Sequence, residues 1–185
     1  MVWTPRGCAR RSGSPSRGCS EVRYRLVVLA VLLTATTSFS GCARDTPPAA
    51  SRPSPPVLTT PIDAVRSYLD WISYAYRVSD SDVASATFSP SEEVRVNSYV
   101  EYNRERGRAI EQHLTHLGLE EPDLVGTRTT VTGQESWRYR YISLRTSRYL
   151  GGWLTATYDT TYTVVRERRG WVVDRVEAQP RGPVK

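Results

Sequence analysis

Two histidines, three positions apart, are the first candidates for chemistry in this chain of 185 residues. We interpret the segment around them as a helix, on which His113 and His116 would lie one turn apart and could share a metal ion. The neighbouring sequence supplies no convincing further ligand. We therefore expect no metal and no cofactor, and we interpret the pair as residues that pack at a helix end and favour its dipole.

Carboxylates for acid–base catalysis are equally scarce in the part of the chain that we expect to fold. Asp159 lies well inside a predicted strand, but its position places it on the polar face, where an arginine such as Arg138 or Arg140 would pair with it. The sequence contains neither a glycine-rich phosphate loop nor a Gly-x-Ser-x-Gly motif. We therefore assign no catalytic residue.

Tyrosine is abundant, with 11 residues against 2 phenylalanines. Because a buried tyrosine hydroxyl needs a hydrogen-bond partner, Tyr139, Tyr141, Tyr158 and Tyr162 could line a pocket with their hydroxyls directed at a ligand. In the alternative interpretation these side chains fill the core and bond to one another or to the backbone. The sequence is compatible with both.

The net charge of +6 does not indicate a nucleic-acid partner, because of where the charge lies. Six arginines and one glutamate precede Cys42, so the rest of the chain carries only +1. The arginines of the predicted sheet could contact an anionic partner, such as lipid headgroups or a cell-wall polymer, or could form a soluble surface.

The N-terminal region has the layout of a secretory signal. Arg23 and Arg25 precede an apolar run over residues 26–33, and small residues follow it. The run is too short for the ~20 residues that a membrane-spanning helix needs. All three cysteines lie at or before position 42, so none can cross-link a core.

The signal ends in Phe39-Ser40-Gly41-Cys42, which resembles the lipobox of bacterial lipoproteins, although Phe39 departs from the usual leucine. The resemblance implies that residues 1–41 are a signal peptide and that the thiol of Cys42 is acylated. Alternatives are an ordinary cleaved signal, or an uncleaved anchor with an incidental cysteine. Translation from Val22 would leave a more compact signal, which makes a mis-assigned start codon another reading of the long leader.

A proline-rich tether is expected over residues 42–61, which contain six prolines. Proline disfavours helix and sheet and favours extended conformations. At ~3.1 Å per residue, this stretch could hold a domain up to ~60 Å from the lipid surface.

Two helices are predicted after the tether. Thr60 and Pro61 provide a cap and a first position for a helix over residues 61–78, whose apolar positions recur every three or four residues. A second helix is predicted from Ser89 to residue 117, with Gly107 inside it and Gly118 as its C-terminal cap.

Strands are predicted after residue 122, where the apolar period becomes two. They cover residues 124–132, 136–146, 153–166 and 171–178, and turns are expected at residues 133–134, 151–152 and 169–170. Within the second strand the apolar parity switches after Tyr141, which predicts a bulge that bends the sheet.

Helices followed by an antiparallel meander predict an α+β domain over residues 62–180, with N-terminal helices packed in a curved four-stranded sheet and a tail over 181–185. This order and the ending Tyr162-Thr-Val-Val-Arg-Glu-Arg-Arg-Gly-Trp171-Val-Val-Asp resemble the cone-like nuclear transport factor 2-like fold, including its polyketide-cyclase-like group. The layout is also similar to the intermembrane-space domain of plastid-division proteins and to domains that precede bacterial amidases.

These observations predict a lipoprotein on the outer face of the cell membrane, attached through Cys42, with a non-catalytic domain that binds a small ligand or an envelope protein. The alternative is a small enzyme of the polyketide-cyclase-like type. A closed cone filled with tyrosine would favour binding, whereas an open cone with an inward carboxylate or histidine would favour the enzyme.

Overall fold

The computed structural model describes residues 46–122 and 126–182, so the predicted leader and Cys42 lie outside the described residues. The elements in chain order are α1 (Pro61–Val78), a short 3-10 helix (Asp82–Thr87), α2 (Pro90–Glu105), β1 (Arg108–Leu119), β2 (Arg128–Ser143), β3 (Tyr149–Glu167) and β4 (Gly170–Pro180). The predicted α+β class is confirmed, with helices followed by one four-stranded antiparallel sheet in the order β1-β2-β3-β4.

Helix α1 begins and ends where the sequence predicts. The Thr60 side chain accepts a hydrogen bond from the backbone N–H of Asp63 at 3.1 Å, and Pro61 occupies the first helical position. Ser79 ends the helix in the left-handed conformation. The regular apolar spacing buries one face of α1 in the core, and that face includes Ala64, Val65, Leu69, Ile72 and Ala75.

The prediction of a single helix from Ser89 to residue 117 is wrong. Helix α2 ends at Glu105, and Gly107 turns the chain with φ +65° into strand β1. Apolar residues every three or four positions fit a helix, but Ile110 and Leu114 point into the core from a strand that pairs with β2 along its length. Pairing with β2 therefore overrides local helix propensity.

Strand β2 is continuous where two strands and a turn were predicted. Gly133 and Gln134 do not form a turn but pair with Thr160 and Asp159 of β3. A Cβ atom on Gly133 would lie 2.4 Å from the carbonyl oxygen of Gly118 in β1, so glycine is required here by close packing of two backbones. Two predicted strands are thus one, β2, but the sheet still has four strands because the segment predicted as the end of the second helix forms β1.

The bulge predicted in the second strand lies instead in its partner, β3. Between Tyr139 and Tyr141 one residue of β2 faces residues 151–153 of β3, where a turn was predicted, while β2 stays in register with β1. A second shift interrupts β1 between Leu114 and His116. Bulges increase the local twist and bend of a sheet. The concave face encloses a core with α1, and its buried residues include Val131, Tyr162, Val164, Trp171 and Val173.

The expected tether is not free over its whole length, because residues 48–58, which we call the strap, pack against α1. Four hydrogen bonds join them: Val57 N–H to Ser67 Oγ at 2.8 Å, Ser67 Oγ to Val57 O at 3.0 Å, Trp71 Nε1 to Ser54 O at 3.1 Å, and Arg77 to Pro48 O at 2.7 Å. The prolines exclude helix and sheet as predicted, but the extended backbone leaves carbonyl groups that side chains of α1 bind. No helix among residues 46–122 and 126–182 has the length and apolar character to cross a bilayer.

Candidate functional site

The concave face of the sheet and the two α-helices enclose a cavity of about 310 Å³. Strands β1 to β4 supply one wall, α1 and α2 the other. Its lining consists of Tyr68, Leu69, Ile72, Tyr76, Arg95, Tyr99, Ile110, Gln112, Glu135, Trp137, Tyr139, Tyr158, Thr160, Tyr162, Val176 and Ala178. Aromatic rings dominate this surface, with aliphatic side chains between them and a few polar groups.

Three of the four tyrosines considered from the sequence, Tyr139, Tyr158 and Tyr162, line this cavity. The fourth, Tyr141, is not part of the lining. Its ring packs edge-on against Tyr139 with centroids 6.0 Å apart, and the guanidinium of Arg108 lies over it at 3.8 Å. β2 pairs regularly with β1 between Tyr139 and Tyr141, so both side chains lie on the same face of the sheet, with Tyr141 outside the lining.

The polar group that sequence reasoning missed is Glu135. Its side chain is buried, with the residue 5% exposed, and it faces the cavity from β2. One carboxylate oxygen accepts a hydrogen bond from the hydroxyl of Tyr162, and the other accepts from Nε1 of Trp137 at 2.6 Å. Glu135, Trp137 and Tyr139 are every second residue of β2 and therefore share its inward face. A predicted strand that continued through Gly133 would have placed Glu135 on that face.

A second polar cluster borders the cavity at α2. The guanidinium of Arg95 binds both carboxylate oxygens of buried Glu92, with Nε at 2.9 and 3.0 Å from them. The hydroxyl of Tyr68 donates to Glu92 at 2.5 Å and accepts from Arg95 at 2.8 Å. Glu92 thus has a cationic partner, whereas the groups bonded to Glu135 are neutral.

Burial sets the protonation of the cavity tyrosines. Desolvation raises the pKa of Tyr68 and Tyr76, and it raises the pKa of Tyr99 to about 12. The pKa of Tyr162 is raised by burial and then by the negative charge and hydrogen bonding of Glu135. These hydroxyls therefore stay protonated at neutral pH and can donate hydrogen bonds.

Two further polar groups face the cavity. The hydroxyl of Thr160 is buried, and it has no hydrogen-bond partner among the described residues. Gln112 also lines the cavity, and its side-chain amide donates a hydrogen bond to Ser73 Oγ at 2.9 Å. A buried hydroxyl without a partner costs free energy, so a ligand that bonded Thr160 would be favoured.

The histidines and the acid considered from the sequence lie elsewhere. His113 and His116 are exposed on the outer face of β1, not on a helix. Within residues 46–122 and 126–182, no three histidine, cysteine, aspartate or glutamate side chains lie close enough together to hold a metal ion. Asp159 is exposed as expected, but it pairs with Arg181 at 2.9 Å rather than with Arg138 or Arg140, because the β2 register carries those arginines to the far end of the strand pair.

Several arginines of the sheet have partners within the domain. Arg138 and Arg140 lie over the ring of Trp153 at 4.0 and 4.1 Å, and Arg140 also pairs with Glu111 at 3.2 Å. Arg128, Arg169 and Arg175 form ion pairs with acids of the same sheet half. These contacts reduce the charge that this face offers to an anionic partner.

Comparison with known proteins shows which solved structures have a similar fold. No protein-family model and no curated protein matches the sequence. The intermembrane-space region of the chloroplast protein ARC6 is similar in structure, with a TM-score of 0.52 at 14% identity over 64% of this chain and 93% of that one. At this identity the likeness shows the fold alone.

Other solved structures resemble the chain more loosely. They include a nuclear transport factor 2-like protein from Salmonella enterica, with 8% identity, a TM-score of 0.46 and coverage of 64% of this chain and 89% of that one. A candidate scytalone dehydratase from Novosphingobium aromaticivorans has 15% identity, a TM-score of 0.46 and coverage of 67% and 85%. The structural neighbours of this α+β cone thus include proteins named as nuclear transport factor 2-like, one of them of unknown function, and proteins named as candidate enzymes.

Proposed function

We propose that this protein is a lipoprotein on the outer face of the cell membrane and that its cone binds a small ligand. The observation that supports ligand binding is the cavity of about 310 Å³. Ligand sites typically enclose about 300–1,000 Å³ and combine an apolar wall with a few polar groups. Leu69, Ile72 and Ile110 supply such an apolar wall here, and Glu135 and Thr160 supply polar groups.

Attachment to the membrane is supported by the basic flank, the short apolar run and the lipobox-like ending at Cys42. Two acyl chains suffice for stable attachment, since each buried methylene contributes about 0.8 kcal/mol. The strap supports a close attachment. Pro48, whose carbonyl binds Arg77, comes six positions after Cys42, and six extended residues reach at most about 20 Å.

Ligand binding is tested by purifying the protein from its own cells and recording native mass spectra. We expect a small molecule to accompany the wild-type protein and to be lost when Val176→Phe fills the cavity. The matched control is Val94→Phe, because Val94 is 68% exposed on α2 and is not in the lining. A ligand retained by Val176→Phe as by Val94→Phe would place it outside the cone and refute the proposal.

Attachment is tested separately by Cys42→Ala. We expect the wild-type protein in the membrane fraction with an acyl mass on residue 42, and the variant released or left unprocessed. Wild-type protein at full length in the soluble fraction, without acyl mass, would contradict this. Crosslinking in intact cells would reveal an envelope protein if the partner is a protein rather than a small ligand.

An enzyme is the second candidate, and Glu135 is the observation that favours it. The cone is open and has an inward carboxylate, the feature expected of an enzyme, and a carboxylate in a cavity can transfer protons. Both oxygens of Glu135 already accept hydrogen bonds from the protein, however, and a substrate proton would have to compete with them. We therefore favour binding.

The two candidates are separated by incubating the co-purified ligand with fresh protein. An unchanged ligand supports binding. Conversion to a new mass by the wild-type protein, abolished by Glu135→Gln, would establish the enzyme instead. Asp159→Asn is the control, since Asp159 is an exposed acid of the same sheet.

A further inference from the structure

Glu135 is a buried carboxylate without a cationic partner among the described residues. Its hydrogen bonds come from a phenol and an indole, neither of which carries charge. Its charge nevertheless acts on the cavity wall, because it adds to burial in raising the pKa of Tyr158 and Tyr162. Burying a charge with only neutral partners costs free energy, and a ligand of opposite charge would compensate that cost.

The other charges near the cavity do not neutralise Glu135. Arg95 is the only other charged residue of the described lining, and Glu92 binds it through both oxygens. Arg108 lies beyond the lining, over the ring of Tyr141 at 3.8 Å, where its Nε donates to Asn103 at 2.9 Å. The negative charge of Glu135 is therefore the uncompensated charge of the lining.

Aromatic rings surround this carboxylate. Tyr162 and Trp137 bind it directly, Tyr158 is its cross-strand neighbour in β3, and Tyr139 follows on the same face of β2. Rings attract a cation placed over their faces, and aromatic cages recognise quaternary ammonium groups. The hydroxyl of Thr160, which has no partner among the described residues, adds a polar contact opposite Gly133.

We propose that the ligand of the cone is an organic cation, an amine or quaternary ammonium compound whose charged group lies against Glu135 between the aromatic rings. This inference rests on the proposed ligand binding and adds the chemical class of the ligand. The cavity of about 310 Å³ accommodates a compound with a small apolar body beside its charged group.

Three probes of the same shape and different charge test the class. Choline carries a trimethylammonium group, 3,3-dimethyl-1-butanol is its neutral isostere, and 3,3-dimethylbutanoate carries a negative charge on the same body. The purified protein is titrated with each, and NMR follows the indole N–H of Trp137, which donates to Glu135 at 2.6 Å and is assigned with Trp137→Phe. We expect choline to bind about tenfold more tightly than the alcohol and the butanoate to bind weakest.

Glu135→Gln tests the carboxylate. We expect this variant to lose most of the preference for choline over the alcohol, because the shape of the side chain is kept, its charge is lost and only the rings still favour the cation. Asp159→Asn is the matched control and should keep the preference, since Asp159 is 53% exposed and pairs with Arg181. If Glu135→Gln does not fold, as judged by circular dichroism, the ranking of the three probes on wild-type protein decides.

Equal binding of choline and the alcohol by wild-type protein, or tighter binding of the butanoate, would overturn the cation proposal while leaving a small-ligand cone intact. A preference for choline that is as large in Glu135→Gln as in wild type would also overturn it. Loss of the co-purified ligand in Val176→Phe is independent of these outcomes, so the failure of the proposed function would be recognised separately.

Discussion

Replacing Gly107 with alanine tests the boundary between α2 and β1. Gly107 has φ +65°, and no atom lies within 4 Å of the position that a Cβ would occupy, so the cost of alanine is backbone strain alone. The left-handed conformation costs an alanine about 1–2 kcal/mol. Lower entropy of the unfolded chain returns about 0.4–1 kcal/mol. We therefore expect Gly107→Ala to lower the free energy of unfolding by about 1 kcal/mol.

The turn cannot relax to avoid this strain. The carbonyl of Gly107 accepts a hydrogen bond from the N–H of Leu144 at 2.8 Å, and the N–H of Gly107 donates to the carbonyl of Arg104 at 2.8 Å. A helix continued to residue 117 predicts the opposite sign, because alanine is about 1 kcal/mol more favourable than glycine inside a helix.

Urea unfolding followed by far-UV circular dichroism measures the difference. Gly107→Asn is the control, because asparagine tolerates the left-handed conformation better than alanine does. We expect Gly107→Asn to be more stable than Gly107→Ala. A Gly107→Ala protein that is more stable than wild type would refute the assignment of β1 and restore the longer helix.

Two further predictions concern the strap and the start of α1. Ser67→Ala removes both hydrogen bonds to Val57, so we expect faster hydrogen exchange in residues 50–58 and a loss of about 1–3 kcal/mol of stability, since each bond contributes about 0.5–1.5 kcal/mol. Ser98→Ala in α2 is the control, and equal exchange in both variants would contradict a packed strap. Hydrogen bonds from Thr59 and Thr60 lower the pKa of Asp63 below its ordinary value of 3.8. The stability that ionised Asp63 adds is fully present above pH 3.8 and is lost as the pH falls through the lowered pKa. Wild type should therefore be more stable than Asp63→Asn at pH 7 but not at pH 2. A stability difference that does not depend on pH would contradict this.

The features that the sequence predicted correctly are those determined by neighbouring residues. The Thr60 cap and the apolar spacing of α1 act within one helix. The inward positions of Tyr158 and Tyr162 follow from alternation along β3. Each of these patterns needs no knowledge of a distant segment.

The errors concern features that depend on a partner strand. Ile110, Leu114 and Leu117 satisfy the spacing of a helix, and only pairing with β2 makes their segment a strand. Gly133 has the appearance of a turn residue, but glycine is required there because the backbone of Gly118 approaches closely. Reading a turn at Gly133 also concealed Glu135, because it interrupted the alternation that places this carboxylate inside the cone.

The strap changes what acylation of Cys42 would do. A free tether over residues 43–61 would allow ~60 Å between lipid and domain, but with Pro48 bound to Arg77 at the end of α1 only about 20 Å of chain separates Cys42 from the domain. Within that distance the proposed anchor would hold this end of α1 near the headgroups. The strap would therefore set the distance between the lipid and the domain. The ligand class does not depend on that distance and is tested by a separate experiment.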